Sequence, residues 1–331
     1  MLAFETSFLV LIQSLGVWLL PFMRFFSFLG QEECYMLVIP LVYWTVDAAL
    51  GLRLFVVLIL SNAVNVFLKW AFHLPRPYWV ERRVVAWGHE TSFGLPSGHA
   101  QNAASVYGLF AFVAQRRLLR FLVVFGIFLI GFSRLYLGVH YLRDVLAGWG
   151  IGLVLLLCVL RVEERVVVWA KKQTPGRIFL YLFISSLFLL FFLLGFLQLF
   201  QGIPLPQMWV DNALVQWPNE PIAPYASESA ATLAGTWLGA LGGAVWFYHR
   251  YGSFRTDGAM KQKILRYLVG MIGLFVLWAG LRAAFPSSAD SVGMVLRFLR
   301  YAVVGLWTTA LAPLVFEKLG LVHHARHTES E

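Results

Sequence analysis

Charged residues are scarce in this chain. Asp, Glu, Lys and Arg make up 13% of its 331 residues, where a soluble domain of that size carries nearer a quarter. Cysteine is limited to Cys34 and Cys158. Both lie near the ends of apolar stretches, which gives no disulfide framework or thiolate metal centre to build and reads them as small apolar core residues. A basic segment ahead of Phe8 is missing, as is a small-residue cleavage site, so no signal peptide is expected and the chain is expected to keep Met1 onward. There is also no soluble domain, long linker or low-complexity tract; the one irregular stretch of length is the proline-bearing segment Gly202 to Pro224. The net charge of +9 does not point to nucleic acid. The basic residues cluster in short connections beside apolar runs, where topology and anionic headgroups account for them.

What the chain has instead is apolar length. It is 60% hydrophobic with a mean hydropathy of +0.73, and its apolar runs are about 18–25 residues long, enough to cross roughly 30 Å of hydrocarbon. The expected fold class is all-α, a polytopic membrane helical bundle. Spans are expected at 34–48, 51–71, 98–115, 120–136, 141–160, 177–200, 230–249, 264–285 and 296–316. The fifth continues as helix to Lys172, where Thr174-Pro175-Gly176 stops it. Residues 6–29, broken by Gln13, Pro21 and Arg24, read as a bent segment lying in the interface, with a full span as the alternative. Three regions follow: an N-terminal interfacial or partly inserted segment over 1–30, a core over 31–172, and about four added helices with a short cytoplasmic tail over 173–331.

Loop charge supplies orientation. Arg116, Arg117 and Arg120 share one connection. Arg161, Arg165, Lys171, Lys172 and Arg177 follow two spans later, and Arg250, Arg255, Lys261, Lys263 and Arg266 two further on. With Lys318 and Arg326 at the end, all fall on one side by parity, which the positive-inside rule makes cytoplasmic. Segment 203–229 carries Asp211, Glu220 and Glu228 without Lys or Arg and is expected outside. By the same parity 69–96 is outside, yet it holds Lys69, Arg76, Arg82 and Arg83. A topogenic role does not explain cations on that side; binding an anion does. Asn62, Asn65 and Lys69 form one helical stripe turned toward the bundle. Gly235, Gly239 and Gly243 recur every four residues, a spacing that lets a neighbouring helix approach closely.

The polar residues between Lys69 and Asp144 suit phosphate chemistry. Ser97 can cap the helix that follows Pro96, and Gly98 lets backbone approach a ligand, so the free N–H groups of that first turn offer an anion seat. An ordinary capped helix would read the same way. His99 and His140 stand at the outer ends of spans, where a lone histidine serves as an interfacial hydrogen-bonder. Asp144, however, lies one turn beyond His140 on the same face. It can take the Nδ1 proton, fix the tautomer and leave a basic Nε2, and such an imidazole can attack phosphorus. His99 could then protonate the departing alkoxide. Lys69 and Arg134 close their spans, and Arg76 is held extended between Pro75 and Pro77. Singly Lys69 and Arg134 read as snorkelling cations, whereas the rigid turn suits Arg76 to a placed guanidinium; converging, the three would stabilise charge on phosphoryl oxygens. Arg82, Arg83 and Arg143 read as interface charges, Arg83 also as a weak substrate-path candidate. No metal-ligand cluster stands among these residues, so neither metal nor cofactor is expected.

The pattern Lys69-x6-Arg76-Pro77, Pro96-Ser97-Gly98-His99 and Ser133-Arg134-x5-His140-x3-Asp144 resembles in full the three motifs of the type 2 phosphatidic acid phosphatase superfamily. That superfamily spans lipid phosphate phosphatases, bacterial undecaprenyl-diphosphate phosphatases, glucose-6-phosphatase and the soluble vanadium haloperoxidases. The resemblance covers about residues 30–160. It implies that Lys69, Arg76, Arg134 and the Ser97-Gly98 turn bind phosphate. It makes His99 the acid, His140 the nucleophile that becomes a phosphohistidine and Asp144 its partner, with no metal needed. The function expected is hydrolysis of lipid phosphate or diphosphate monoesters at the extracytoplasmic face of a membrane, bacterial by this reading, with membrane lipids and a lipid phosphate as partners. A lipid-linked phosphotransferase using the same site is the alternative, and a phosphate-binding transporter is disfavoured by the intact His99, His140 and Asp144 set. Tyr78, Trp79, Trp87 and Phe93 read as headgroup-zone aromatics beside the site or as plain interfacial anchors.

Overall fold

A computed structural model describes residues 2–285 and 290–322; Arg326 and the remainder of the C-terminal tail lie outside the described residues. Regular structure among them is entirely helical. Seven helices are long and apolar enough to cross a membrane, or eight if a bent N-terminal pair counts as one span. The protein is a multi-pass membrane protein.

Most helices fall within a few residues of expectation: α4 (Ala48–Phe72), followed by a short α5 (Pro77–Val80), α8 (Arg117–Tyr136), α9 (Leu142–Lys171), α10 (Pro175–Gln198), α12 (Glu228–Tyr251) and α13 (Met260–Ala284). The last span runs through α14 (Ser291–Leu306), a π turn over Trp307–Leu311 and α15 (Ala312–Lys318). Two expected spans are shorter than a full crossing. The first, α3 (Glu32–Thr45), has 14 residues with Pro40 inside, which at 1.5 Å per residue gives about 21 Å. It stops because Asp47 Oδ1 accepts from Leu50 N and starts α4 instead. The second is split into α6 (Gly98–Asn102), a π turn over Ala103–Tyr107 and α7 (Gly108–Val113).

At the N-terminus α1 (Leu2–Gln13) and α2 (Leu20–Leu29) belong to a pair bent by 80°. The bend falls at Gly16, whose φ of 99° suits glycine, and not at Pro21. Pro21 sits in the first turn of α2, where a missing N–H costs nothing. Gln13 does not interrupt the helix either; its side chain bonds the backbone of Val85 in both directions and donates to Tyr136 O. The segment Gly202 to Pro224, read as irregular, contains α11 (Gln207–Gln216), which starts directly after Pro206 and ends ahead of Pro218.

The chain divides into two compact units of interleaved sequence. The first takes Met1–Tyr35, Leu60–Val162 and Gly195–Ala226. Within it α9 lies against α6 at Gly148 and Gly152: a Cβ on Gly148 would stand 2.6 Å from Ser97 O, and one on Gly152 would strike Gln101 O. Cys34 is buried there, its Sγ 3.7 Å from Tyr107 Oη. Cys158 is exposed and so is no core residue; it shares α9 with the exposed Leu153, Val154 and Leu157, a face suited to lipid.

The second unit takes Met36–Ile59, Glu163–Leu194 and Ser227–Glu331. Here the glycine stripe of α12 meets α14 and the π turn beyond it. Gly235 and Gly239 abut the carbonyls of Phe298 and Ala302, and Gly243 faces Thr309. Its core gathers Trp44, Phe247, Phe254, Met271 and Phe316. Arg266 is buried within it and donates to Trp44 O and Asp257 O.

Candidate active site

The first unit brings the motif residues to one place. Asn65 Nδ2 donates to Pro96 O at 3.2 Å and to Gln101 Oε1 at 2.9 Å, and Asn62 Oδ1 accepts from Asn102 Nδ2 at 2.8 Å. The polar stripe of α4 thus carries α6 and sets Lys69 one turn higher. Ser97 caps α6, its hydroxyl accepting from Ala100 N at 3.5 Å, and its backbone N–H donates to Asp144 O at 2.9 Å. Gly98 stands so close to Asn65 that a Cβ would come within 3.1 Å of Oδ1, which explains a glycine there. The second motif is therefore tied on one side to α4 and on the other to the start of α9.

His140 precedes α9 and is 1% exposed. Its Nδ1 lies 3.4 Å from Asp144 Oδ2, which also accepts from Tyr141 N at 2.9 Å. Its Nε2 lies 3.1 Å from Arg76 Nη1. A guanidinium only donates, so Nε2 must accept and the ring proton belongs on Nδ1, facing the carboxylate. The single lone pair of Nε2, engaged here by Arg76, consequently points among the cations. Burial first, then the charges of Arg76 and Arg134, hold the His140 imidazole well below its ordinary pKa. His99 is within electrostatic reach of Arg134, Glu90, Lys69 and Arg76, and His140 of His99. Its own Nε2 is buried without a hydrogen bond among the described residues.

The three expected cations converge on one short segment that no motif contains. Lys69 Nζ donates to Ser92 Oγ at 2.7 Å. Arg76, fully buried, spends its fork on Ser92 O at 2.6 Å, Ser92 Oγ at 3.2 Å, Phe93 O at 3.2 Å, Val139 O at 3.0 Å and Glu90 Oε2 at 3.4 Å. Arg134 donates to Glu90 Oε1 and to Ser27 Oγ. Glu90 therefore bridges two arginines of two motifs. Burial works to raise the Glu90 carboxyl, but Arg76 and Arg134 outweigh it and hold it well below the usual carboxylate range. Glu90, Ser92 and Ser27 were invisible to motif reading. The available signal was two acids, Glu81 and Glu90, and one serine, Ser92, inside the cation-bearing 69–96 loop; Ser27 gave none.

Several neighbours play other parts than expected. Tyr78, Trp79 and Phe93 are buried in the protein and do not face the headgroup zone; Tyr78 Oη donates to Glu90 O at 2.9 Å. Trp87 packs against Tyr136 in a tilted arrangement, ring centroids 4.8 Å apart. Arg82 reaches Asn212 Oδ1 of α11 at 2.7 Å, and Arg143 pairs with Glu5 at 3.2 Å. Arg83 pairs with Glu81 at 2.8 Å and stays exposed.

Comparison with known proteins adds the family. The profile of the PAP2 superfamily matches residues 50–167, and that of the PAP2 superfamily phosphatase transmembrane extension matches residues 231–326. Phosphatidylglycerophosphatase B of Bacillus subtilis (strain 168) is 39% identical over 94 residues, 25% of this chain and 46% of that one. A probable sphingosine-1-phosphate phosphatase of Dictyostelium discoideum is 34% identical over 161 residues, 44% of this chain and 39% of that one. Glucose-6-phosphatase catalytic subunit 1 of Felis catus is 26% identical over 309 residues, 82% of each chain. The chain thus spans less than half the length of the first two relatives. The two profiles together take in most of a chain whose three motifs meet around one cluster of cations, and the chain belongs to the PAP2 superfamily, in its integral-membrane branch.

Proposed function

We propose that the protein is a metal-independent membrane phosphatase that hydrolyses lipid phosphate or diphosphate monoesters through a phosphohistidine at the extracytoplasmic face. The observation that carries this reading is the Nε2 lone pair of His140, 3.1 Å from Arg76 and backed by Asp144, within a cluster that also holds Lys69 and Arg134. Lys69, Arg76, Arg134 and the Ser97-Gly98 turn bind the phosphoryl oxygens. His140 Nε2 forms the bond to phosphorus as the ester P–O bond breaks, and His99, which takes up a proton once the bound phosphate dianion offsets the surrounding cations, gives that proton to the leaving oxygen. Asp144 holds the Nδ1 proton and balances the positive charge that His140 acquires. Water, deprotonated by His99, then attacks phosphorus and releases inorganic phosphate and free His140. Three fixed cations supply the charge neutralisation that a divalent ion provides elsewhere. Chemistry is assigned to residues 31–172, with 1–30 and 173–331 as membrane-embedded additions.

A lipid substrate is favoured by two observations. Phosphatidylglycerophosphatase B and sphingosine-1-phosphate phosphatase are named for lipid phosphates. In addition, an apolar groove lined by Ala104, Gly108, Phe112, Trp149 and Leu153 runs along the helices that follow His99 and Asp144. The glucose-6-phosphatase relative, matched along 82% of both chains, makes a sugar phosphate the competitor to test. An outward orientation is supported by the basic connections at Arg116, Arg161 and Arg250, which the positive-inside rule assigns to the opposite, cytoplasmic side; an impermeant phosphate ester hydrolysed only by inside-out vesicles would contradict it.

The test is phosphate release by purified protein across phosphatidic acid, phosphatidylglycerol phosphate, polyprenyl diphosphate, sphingoid phosphate and glucose 6-phosphate, with EDTA and with His140→Ala. Release from a lipid phosphate that survives EDTA and falls at least about 10³-fold in the variant is expected. Unchanged release by His140→Ala, or EDTA loss rescued by a divalent ion, would contradict the mechanism. Label moving to an added acceptor alcohol in place of water would favour a phosphotransferase.

A further inference from the structure

Each cation of the phosphate cradle has at least one N–H taken by a single segment of the chain, residues 90–92. Glu90 Oε1 and Oε2 accept from Arg134 and Arg76, and Ser92 Oγ accepts from Lys69 and Arg76. Three side-chain oxygens of residues 90–92 thus hold donors from all three motif cations, the number of oxygens that a phosphoryl group presents. A guanidinium N–H cannot serve a carboxylate and a phosphate at once, and two anions between the same arginines repel.

The segment's backbone is pinned at successive carbonyls, Thr91 O accepting from Ala223 N at 3.1 Å and Ser92 O from Arg76 Nε at 2.6 Å. Tyr78 Oη holds Glu90 O, and His89 contacts Glu220 through both ring nitrogens, Nδ1 to Oε2 at 2.5 Å and Nε2 to the backbone carbonyl at 2.9 Å. The Glu90 side chain nevertheless keeps 23% of its surface exposed, while those of Arg76 and Arg134 keep 0% and 3%. The carboxylate therefore has a way out by rotation of its own side chain, with the loop left in place.

We propose that Glu90 is a tethered competitor for the phosphate seat. Its carboxylate neutralises Arg76 and Arg134, is displaced when the substrate phosphoryl group binds, and returns as inorganic phosphate leaves. Ser92 does the same for Lys69 without charge. A tethered anion acts at high effective concentration, so it lowers affinity for phosphate and speeds product release. This rests on the phosphatase reading and names the residue that sets its affinity for anions.

The opposing possibility is that Glu90 merely holds the two arginines in place, and it predicts the opposite sign. The experiment measures inhibition by inorganic phosphate and orthovanadate, together with KM and kcat, for full-length wild type, Glu90→Gln and Ser92→Ala. Competition lost by removing one charge-assisted contact predicts inhibition constants about tenfold or more lower in Glu90→Gln. KM falls with them, and kcat falls as phosphate release slows. Ser92→Ala shifts the same way by less, and it carries the test if Glu90→Gln does not fold. Inhibition constants unchanged or raised in the folded variants, with wild-type turnover intact, overturn this inference alone. A wild type that neither binds these anions nor releases phosphate from any substrate overturns the phosphatase reading along with it.

Discussion

His140 and Asp144 constrain each other through a contact that only one protonation arrangement satisfies. Arg76 can only donate to Nε2, so Nδ1 must carry the proton toward Asp144. Replacing Asp144 by Asn removes the balancing charge and permits the wrong tautomer. Steady-state kinetics should show kcat reduced by about 10²–10⁴ with KM changed by less than about threefold; a rise in KM with kcat unchanged would place Asp144 in binding. The pH dependence has a definite sign. The folded pKa of His140 lies below its unfolded value, so the unfolded chain takes up the extra proton first. Stability from this group is complete above about pH 6.5 and is lost as pH falls below it toward the folded value. For the same reason the acid limb of kcat/KM that belongs to His140 should lie below about pH 6.5. An acid limb above neutrality that His140→Ala abolishes would contradict a buried, neutral nucleophile. The motif residues were legible because their spacing is fixed by chemistry. Glu90 and Ser92 were not, because an acid and a serine in a loop acquire meaning only when the loop folds back over Arg76.

At the scale of elements, the site depends on how closely α9 approaches α6. Gly148 meets Ser97 O and Ala100, so a Cβ there would fall 2.6 Å from the carbonyl that helps cap the His99 helix. Gly150, on another face, meets nothing within 4 Å. Gly148→Val should cost about 1–3 kcal/mol in stability and reduce turnover more than its melting shift explains, since it parts Asp144 from Ser97. Gly150→Val should leave both within error. Equal effects from the two would remove close helix approach from the account. Helix positions could be read from apolar periodicity, but lengths could not. Asp47 ends one expected span by starting a new helix, a π turn over Ala103–Tyr107 interrupts another, and no hydropathy window registers either. Gln13, Pro21 and Arg24 read as breaks in 6–29, but the bend falls at Gly16, since a proline in a first turn belongs to the helix it opens. Buried aromatics misled in the same direction. Tyr78 and Phe93 look interfacial as letters, and are buried once α11 and the 81–97 loop are in place.

At the scale of the molecule, the first unit has an unusual composition for a membrane interior: two imidazoles, three cations and two carboxylates in mutual range, with few of them exposed. Such a cluster is costly to bury and is retained only where its charges compensate one another or a ligand. The second unit carries no comparable set among the described residues. Its glycine stripe and aromatic core account for packing, and residues 231–326 within it match the family's transmembrane-extension profile. The claim on which everything turns is that His140 makes a bond to phosphorus. Rapid acid-free quenching of the enzyme with a lipid phosphate labelled in its phosphoryl group, followed by peptide mass spectrometry, reads that bond directly. The account predicts alkali-stable, acid-labile label on His140 and its disappearance in His140→Ala. Label on another residue, or full turnover with none on His140 at any quench time, would contradict it.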